Sequence, residues 1–325
     1  MHPITDLHCD LLLYLGKVPG ASIHATENIG VTLPYLRAGN VRHQVMAVFT
    51  RTEAGSTAWL QPQLDAFSAL AALSEFTILA DKAAVDDLPN HSAIGMTLAI
   101  ENASAIGEED EPLDRAFERL DHCLATGQHL FYLTLTHHLE NRFGGGNYTD
   151  IGLKPDGEAL LEWMAANHVP LDLSHTSDAL AFESLTYIDR RNLSLPVLAS
   201  HSNFRHLRDH PRNLPQELVQ EIIRRDGLIG ANFLRLFLGG ERSESLLEHI
   251  SYGLEQAPQQ MAFGADFFWR PGISAPERQP LFFSEYADAG QYPTILKQLR
   301  ERTFTERQLA ALAHGNARRF IRQNW

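Results

Sequence analysis

Short apolar runs, rich in valine, isoleucine and leucine, recur along the whole chain. Polar residues, glycine or proline bound most of them, which is typical of strands that are buried on both faces. The runs cover residues 4–11, 41–50, 95–100, 131–136, 169–174, 196–200, 228–233 and 261–265. The pattern therefore predicts eight strands.

Segments with helical periodicity lie between most of these strands, at residues 61–76, 112–127, 155–168, 177–191 and 215–226. Strands that alternate with helices predict a parallel sheet covered by helices, which is the α/β class. Eight strands favour a closed (β/α)8 barrel of the TIM type over an open doubly wound sheet, and no Gly-x-Gly-x-x-Gly turn follows a strand. Residues 292–325 predict two or three closing helices. No linker divides the chain, so residues 1–325 are predicted to form a single domain.

Composition narrows the classes of partner. The chain has 325 residues and a formal net charge of −13 at pH 7, and an acidic surface argues against nucleic acid or an anionic membrane as a partner. Two cysteines, Cys9 and Cys123, cannot form a disulfide framework and fit a reducing compartment. The N-terminus shows no signal segment and no run is long enough to span a bilayer, so we expect a cytoplasmic protein.

Polar side chains that can bind metals or protons follow the predicted strands. In a β/α barrel the carboxyl ends of all strands meet at one face, where the chemistry is found. The residues at these ends are His8, Asp10, Glu101, His137, His175, His201 and Asp266. Buried ionisable groups are costly unless they are paired or bind a metal, so this many at one face predict a shared cation.

Each of these residues also has a structural explanation when it is taken alone. His8 and Asp10 point the same way along an extended strand, which suits a divalent metal but equally a buried hydrogen-bonded pair. His175 could be a hydrogen-bonded core histidine, Glu101 a salt-bridge partner and Asp266 a helix cap. A metal site is favoured because all of these alternatives would have to hold independently.

Five further histidines are predicted to be solvated or core residues and not metal ligands: His24, His43, His138, His206 and His210. His138 is excluded because it has the opposite strand parity to His137. Cys9 is expected to face away from the site for the same reason.

Several phrases resemble the membrane dipeptidase family of metallopeptidases, also called renal dipeptidases or peptidase family M19. They occur in the family's order and include Asp-x-His-x-Asp at 6–10, Tyr-Leu-Thr-Leu-Thr-His at 132–137, Gly-Leu-Lys-Pro-Asp-Gly at 152–157, Leu-Asp-Leu-Ser-His-Thr-Ser at 171–177, Ser-His-Ser at 200–202 and Arg-Asn-Leu-Pro at 212–215.

The resemblance implies a binuclear zinc barrel that hydrolyses dipeptides, including those with a D-residue at the C-terminal position, by a hydroxide that bridges the metals. It implies a homodimer as well. By position, His8 and Asp10 would bind one zinc ion, His175 and His201 the other, and Glu101 both. The resemblance further implies that His137 and Arg212 contact the substrate and that Asp266 transfers a proton.

Three segments depart from the family's usual phrases: Gly-Ala-Asp-Phe-Phe-Trp at 264–269, Glu-Asn-Ala at 101–103 and the glycines at 144–146. None removes a metal ligand, but they leave the substrate open. Two alternatives therefore stand beside a dipeptidase. One is a related binuclear hydrolase that acts on another amide or a lactone, such as an N-acyl amino acid. The other is a catalytically silent metal-binding barrel.

Overall fold

The computed structural model of the protein describes residues 2–88, 91–239, 241–272 and 279–325. The described strands are β1 (Ile4–Asp6), β2 (Val41–Phe49), β3 (Phe76–Ile78), β4 (Ile94–Glu101), β5 (Leu130–Thr134), β6 (Leu171–Asp172), β7 (Val197–Leu198), β8 (Ile229–Ala231) and β9 (Met261–Phe263). Each of the eight predicted strands is present, and β3 is additional.

All pairs are parallel, and the strands are paired in the order β7-β6-β5-β4-β2-β1-β9-β8. A single parallel bridge between Ala199 and Ile229 joins the two ends of this order and closes the ring. The predicted (β/α)8 barrel is therefore confirmed. β3 lies outside the ring and pairs with the first residues of β4.

The helices cover the barrel in the alternation that the sequence predicts. They are α1 (Leu11–Lys17), α2 (Leu33–Ala38), α3 (Leu60–Ala71), α4 (Lys82–Asp87), α5 (Leu113–Gly127), α6 (Pro155–Ala166), α7 (Asp178–Arg191), α8 (Gln216–Arg224), α9 (Arg235–Leu238), α10 (Glu244–Gln256), α11 (Tyr292–Glu301), α12 (Glu306–Ala310) and α13 (Asn316–Asn324). None of the described helices is long and apolar enough to cross a membrane.

Two predicted elements end five residues earlier than expected, and most of the others end one or two residues early. The helix predicted at 61–76 stops at Ala71, because the chain turns there and residues 76–78 are extended as β3. The strand predicted at 4–11 stops at Asp6, and α1 already starts at Leu11. Strand pairing resumes at one parallel bridge between Cys9 and Phe267, so the alternation of side chains along an extended strand continues through residues 8–10.

Two apolar clusters fill the protein. The larger lies between the strands and the helices, and it contains Cys9, which is fully buried as expected. The smaller fills the barrel interior and joins Phe131 of β5 to Phe320 of α13, whose ring centroids are 6.2 Å apart. The C-terminal helix therefore closes the end of the barrel opposite the carboxyl ends of the strands, which leaves the other end for a site.

Candidate metal centre and active-site cavity

The carboxylate of Glu101 lies at the centre of the residues predicted to bind metal. Its Oε1 atom is 2.9 Å from His175 Nε2 and 3.4 Å from His201 Nε2, while its Oε2 atom is 3.4 Å from His8 Nε2. Asp10 Oδ1 is 3.8 Å from the same nitrogen of His8. The structure thus brings all five predicted ligands together, with Glu101 between the other residues.

The donor atoms of this cluster suit a cation. His8 Nε2 and Asp10 Oδ1 are buried and have no hydrogen-bond partner among the described residues. Burial raises the pKa of Glu101 to about 8 and that of Asp10 well above its usual range, where the Glu101 charge adds to the effect. Burial also lowers the pKa of His201 well below its ordinary value. Buried carboxyls beside neutral imidazoles are the nitrogen and oxygen donors that zinc binds, so the residues fit the metal.

A hydrogen bond fixes which nitrogen of His8 faces the cluster. His8 Nδ1 lies 2.6 Å from the hydroxyl of Tyr132, and that hydroxyl donates to the carbonyl oxygen of Leu7 at 3.2 Å. The hydroxyl oxygen therefore accepts from the Nδ1–H group. This arrangement leaves the lone pair on Nε2, which is the atom beside Glu101.

His201 is held by a longer chain of hydrogen bonds. Its Nδ1 atom is 2.6 Å from Ser200 Oγ, and that hydroxyl donates to Asp172 Oδ2 at 2.5 Å. Asp172 also accepts from the Thr134 hydroxyl and from the backbone N–H groups of Ser174 and Ser200. The carboxylate thus has four donors, and it orients His201 so that Nε2 faces Glu101.

Asp266 lies at the edge of the same cluster. Its Oδ1 atom is 3.6 Å from His8 Nε2, and its Oδ2 atom accepts a hydrogen bond from Asn232 Nδ2 at 2.9 Å. Burial raises the pKa of Asp266 to about 7, while the nearby His8 works against this rise. A carboxyl with such a pKa can both accept and release a proton near neutral pH.

Three residues of the site have left-handed backbone conformations that the sequence did not reveal. The φ angles are 73° at Asn102, 66° at His175 and 65° at Asp266. Such angles are uncommon outside glycine and are found at functional sites, where surrounding contacts hold them. The Asn102 amide donates to Thr50 O, and its oxygen accepts from Ser104 N, which holds the chain directly after Glu101.

Arg212 lies behind His201. Its Nη1 donates to Ser202 Oγ and its Nη2 to the carbonyl oxygen of His201, both at 2.8 Å. Its side chain is buried, and Nε has no hydrogen-bond partner in the described part of the chain. The guanidinium is next to the centre but does not line the cavity in this structure, so its contact with substrate stays a prediction.

A cavity of about 330 Å³ opens beside the cluster. The end of the cavity nearest the cluster is lined by Asp10, Glu101, His137, His175 and Asp266, and much of the remaining wall is aromatic. The aromatic residues include Tyr14, Phe49, Trp59, Phe237, Phe268 and Trp269. Phe49 is the last residue of β2, and the others lie on loops and helices after different strands. The sequence pointed only to Phe268 and Trp269, through their departure from the family phrase.

The exclusion of His138 by strand parity is not supported by its position. β5 ends at Thr134, so the alternation of an extended strand no longer applies three residues later. The rings of His137 and His138 lie 3.9 Å apart between centroids, and both residues line the cavity.

The protein's sequence matches the profile of the membrane dipeptidase family, peptidase family M19, over residues 1–324. Dipeptidase 3 of Rattus norvegicus is 24% identical over 336 residues, which cover 99% of this chain and 65% of the rat protein. An uncharacterized dipeptidase of Schizosaccharomyces pombe is 27% identical over 199 residues, which cover 58% of this chain and 45% of that protein. The chain therefore spans between about half and two thirds of the length of these curated relatives.

Solved structures share the fold. A metallopeptidase from Rhodobacter sphaeroides, bound to a phosphinate mimic of the dipeptide L-Ala-D-Ala, matches with a TM-score of 0.83 at 21% identity, over 100% of this chain and 99% of that chain. An amidohydrolase from Pseudomonas aeruginosa matches with a TM-score of 0.78 at 18% identity, over 100% and 97% of the two chains. Since the family profile covers nearly the whole chain, this protein belongs to the membrane dipeptidase family, peptidase family M19.

Proposed function

We propose that the protein is a zinc dipeptidase, which hydrolyses the peptide bond of a dipeptide at a centre of two metal ions. The observation that carries this proposal is the position of Glu101. Its two carboxylate oxygens face different imidazoles, Oε1 that of His175 and Oε2 that of His8. A carboxylate so placed can be shared by two cations, and membership of a metallopeptidase family supports the same reading.

Two zinc ions held by His8, Asp10, Glu101, His175 and His201 would acidify water near neutral pH and polarise the scissile carbonyl, which is the chemistry that amide hydrolysis needs. These ligands would hold the ions with Nε2 atoms and carboxylate oxygens. The Nδ1–H groups of His8 and His201 donate to the hydroxyls of Tyr132 and Ser200, which keeps the Nε2 lone pairs directed inward.

The remaining groups would act on the substrate itself. His137 lies at the inner end of the cavity, with its Nε2 3.9 Å from Glu101 Oε1, and would donate a hydrogen bond to the developing oxyanion. Asp266, with a pKa of about 7, would carry a proton to the leaving amine. Arg212 would attract the C-terminal carboxylate through its buried positive charge.

The test is metal analysis joined to a screen of dipeptides that vary in the stereochemistry of the C-terminal residue. We expect two zinc ions per chain and hydrolysis of several dipeptides. D-residues belong in the screen because the Rhodobacter sphaeroides metallopeptidase was solved with a mimic of L-Ala-D-Ala. Protein that holds two zinc ions but cleaves only N-acyl amino acids or lactones would replace this proposal by the related hydrolase. Protein inert on every compound would replace it by the silent metal-binding barrel.

A further inference from the structure

Three imidazoles meet at the entrance to the metal centre, and one of them plays no part in the function proposed above. A ring nitrogen of His137, one of His138 and one of His175 all lie within 4.8 Å of one another. The ring centroid of His175 is 4.2 Å from that of His137 and 5.0 Å from that of His138. His137 and His138 are partly exposed at the cavity, whereas His175 is buried.

Contacts on its outer side orient the ring of His138. Its Nδ1 atom lies 2.9 Å from the side-chain oxygen of Asn147, a buried residue, and the ring stacks on Tyr148 at 4.8 Å between centroids. A hydrogen bond at Nδ1 places the proton there, so Nε2 is the nitrogen that this ring would present to a metal. The adjacent His137 has a neutral imidazole, because burial lowers its pKa well below the ordinary value.

We propose that His137, His138 and His175 form a third metal site, which binds a zinc ion at higher concentrations and inhibits the enzyme. The inhibition rests on the proposed dipeptidase function, since the third ion would occupy His137 and the cavity that the substrate enters. Binding of the ion does not rest on that function and can be measured without a substrate.

The chemistry of the three donors sets which ion binds and how tightly. Imidazole nitrogens favour zinc, copper or nickel over magnesium and calcium, which take oxygen ligands. Three protein ligands leave a fourth position of a tetrahedral ion for water. His175 gives Nε2 to the binuclear centre, so the third ion would take its Nδ1, which is buried and has no hydrogen-bond partner among the described residues, and the Nδ1 proton would pass to solvent. Because this proton must be lost, the third ion binds more weakly than the first two, and inhibition begins only after these are bound.

The test is equilibrium dialysis of the two-zinc protein against rising zinc, with bound metal measured by mass spectrometry and dipeptide hydrolysis followed in parallel. We expect a third equivalent to bind while hydrolysis falls, and magnesium at the same concentration to leave hydrolysis unchanged. His138→Gln removes the ligand that belongs to this site alone. It should retain two zinc ions and weaken the third by at least about tenfold.

His206→Gln is the matched control, because it removes an exposed histidine whose ring stacks on Tyr252 away from the cluster. It should bind the third ion as the wild type does. A third equivalent that survives in His138→Gln, or the absence of one in the wild type, would overturn the site. A third equivalent that leaves hydrolysis unchanged would overturn the inhibition. If no dipeptide is cleaved at all, the dialysis still decides the site by itself.

Discussion

At the scale of single residues, side chains behind the predicted metal ligands determine how those ligands are oriented. Asp172 never reaches the cavity, yet its four hydrogen bonds and the hydroxyl of Ser200 determine the orientation of His201. Partners of this kind fix the tautomer of a ligating histidine and raise its basicity. The sequence showed Asp172 only as part of a family phrase, because nothing in a linear pattern says that a strand residue will lie beneath a histidine 29 positions later.

Replacing Asp172 by asparagine should therefore weaken metal binding without unfolding the protein. The amide keeps the shape of the side chain but offers only one acceptor oxygen to the four donors. We expect a loss of about 10–100-fold in the affinity for zinc, measured by competition with a chelator. Thr134→Val is the control, since it removes one donor to Asp172 and leaves the connection to His201 intact. Equal affinities in Asp172→Asn and wild type would contradict the role.

Asp266→Asn should separate chemistry from metal binding. The asparagine retains an oxygen for Asn232 but cannot carry a proton, so we expect zinc content close to the wild type and loss of nearly all dipeptide turnover. Zinc content and initial rates would be measured on the same samples. A parallel loss of zinc and turnover would identify Asp266 as a metal ligand instead. The alternative is realistic because Asp266 Oδ1 lies only 3.6 Å from His8 Nε2.

At the scale of elements, the join between β7 and β8 closes the barrel beside His201. One bridge closes it, and two glycines allow the backbone of Ser200 to approach. A Cβ atom would lie 1.8 Å from Ser200 O if added to Gly230, and 1.9 Å from the same oxygen if added to Gly264. Since His201 directly follows Ser200, the packing of this join also positions a predicted metal ligand.

Gly230→Ala should therefore lower both stability and metal affinity. The methyl group collides with a backbone oxygen that cannot move without shifting His201, and overpacking of this kind costs about 1–3 kcal/mol. Thermal unfolding and zinc titration would be measured side by side. Gly315→Ala is the control, because the nearest atom to its new methyl group is 3.2 Å away, and it should change neither quantity strongly. Unaltered zinc affinity in Gly230→Ala would show that the join and the site are independent.

At the scale of the whole molecule, buried neutral histidines make the fold sensitive to acid. Burial lowers the pKa of His43, which bonds Thr97 in the barrel interior, to about 3, and that of His249 to about 4. Their ordinary pKa is about 6.5, so the unfolded chain takes up protons first as the pH falls. Their contribution to stability is thus complete above about pH 6.5 and is lost progressively toward pH 3–4.

Between pH 6.5 and 4.5 we expect His43 to lower the free energy of unfolding by at most about 1.4 kcal/mol per pH unit, whereas the raised pKa values of Glu101 and Asp266 act in the opposite direction in the metal-free protein. Urea unfolding at several pH values in the presence of a chelator would measure this slope. His43→Gln should remove the His43 contribution from the slope, because glutamine can still bond the Thr97 hydroxyl but does not titrate. His24→Gln, which changes an exposed histidine, should leave it unchanged. Identical slopes in His43→Gln and wild type would refute the account.

The sequence was sufficient to predict the barrel and the residues that cluster around Glu101, and it was insufficient where side chains meet through loops. Eight apolar runs predicted eight strands because buried strands need continuous apolar sequence. β3 (Phe76–Ile78) was missed because the helical pattern predicted at 61–76 extends to its first residue and its other residues are only partly buried. The hydrogen bonds that Arg212 donates to Ser202 and to the His201 carbonyl were missed, and so was the aromatic wall of the cavity. In both cases the residues are distant in the chain and show no periodicity.

The size of the cavity also determines which peptide bonds the protein would leave unhydrolysed. About 330 Å³ is near the lower end of the range for ligand cavities, and the space lies within aromatic walls at the mouth of the barrel. If the protein is the dipeptidase proposed above, a space of this volume suits a dipeptide, whereas a loop of a folded protein would need a wider cleft to bring its peptide bond to Glu101. Size exclusion alone would protect neighbouring proteins from hydrolysis, so safe storage of the active form would require neither an inhibitor nor a masking segment.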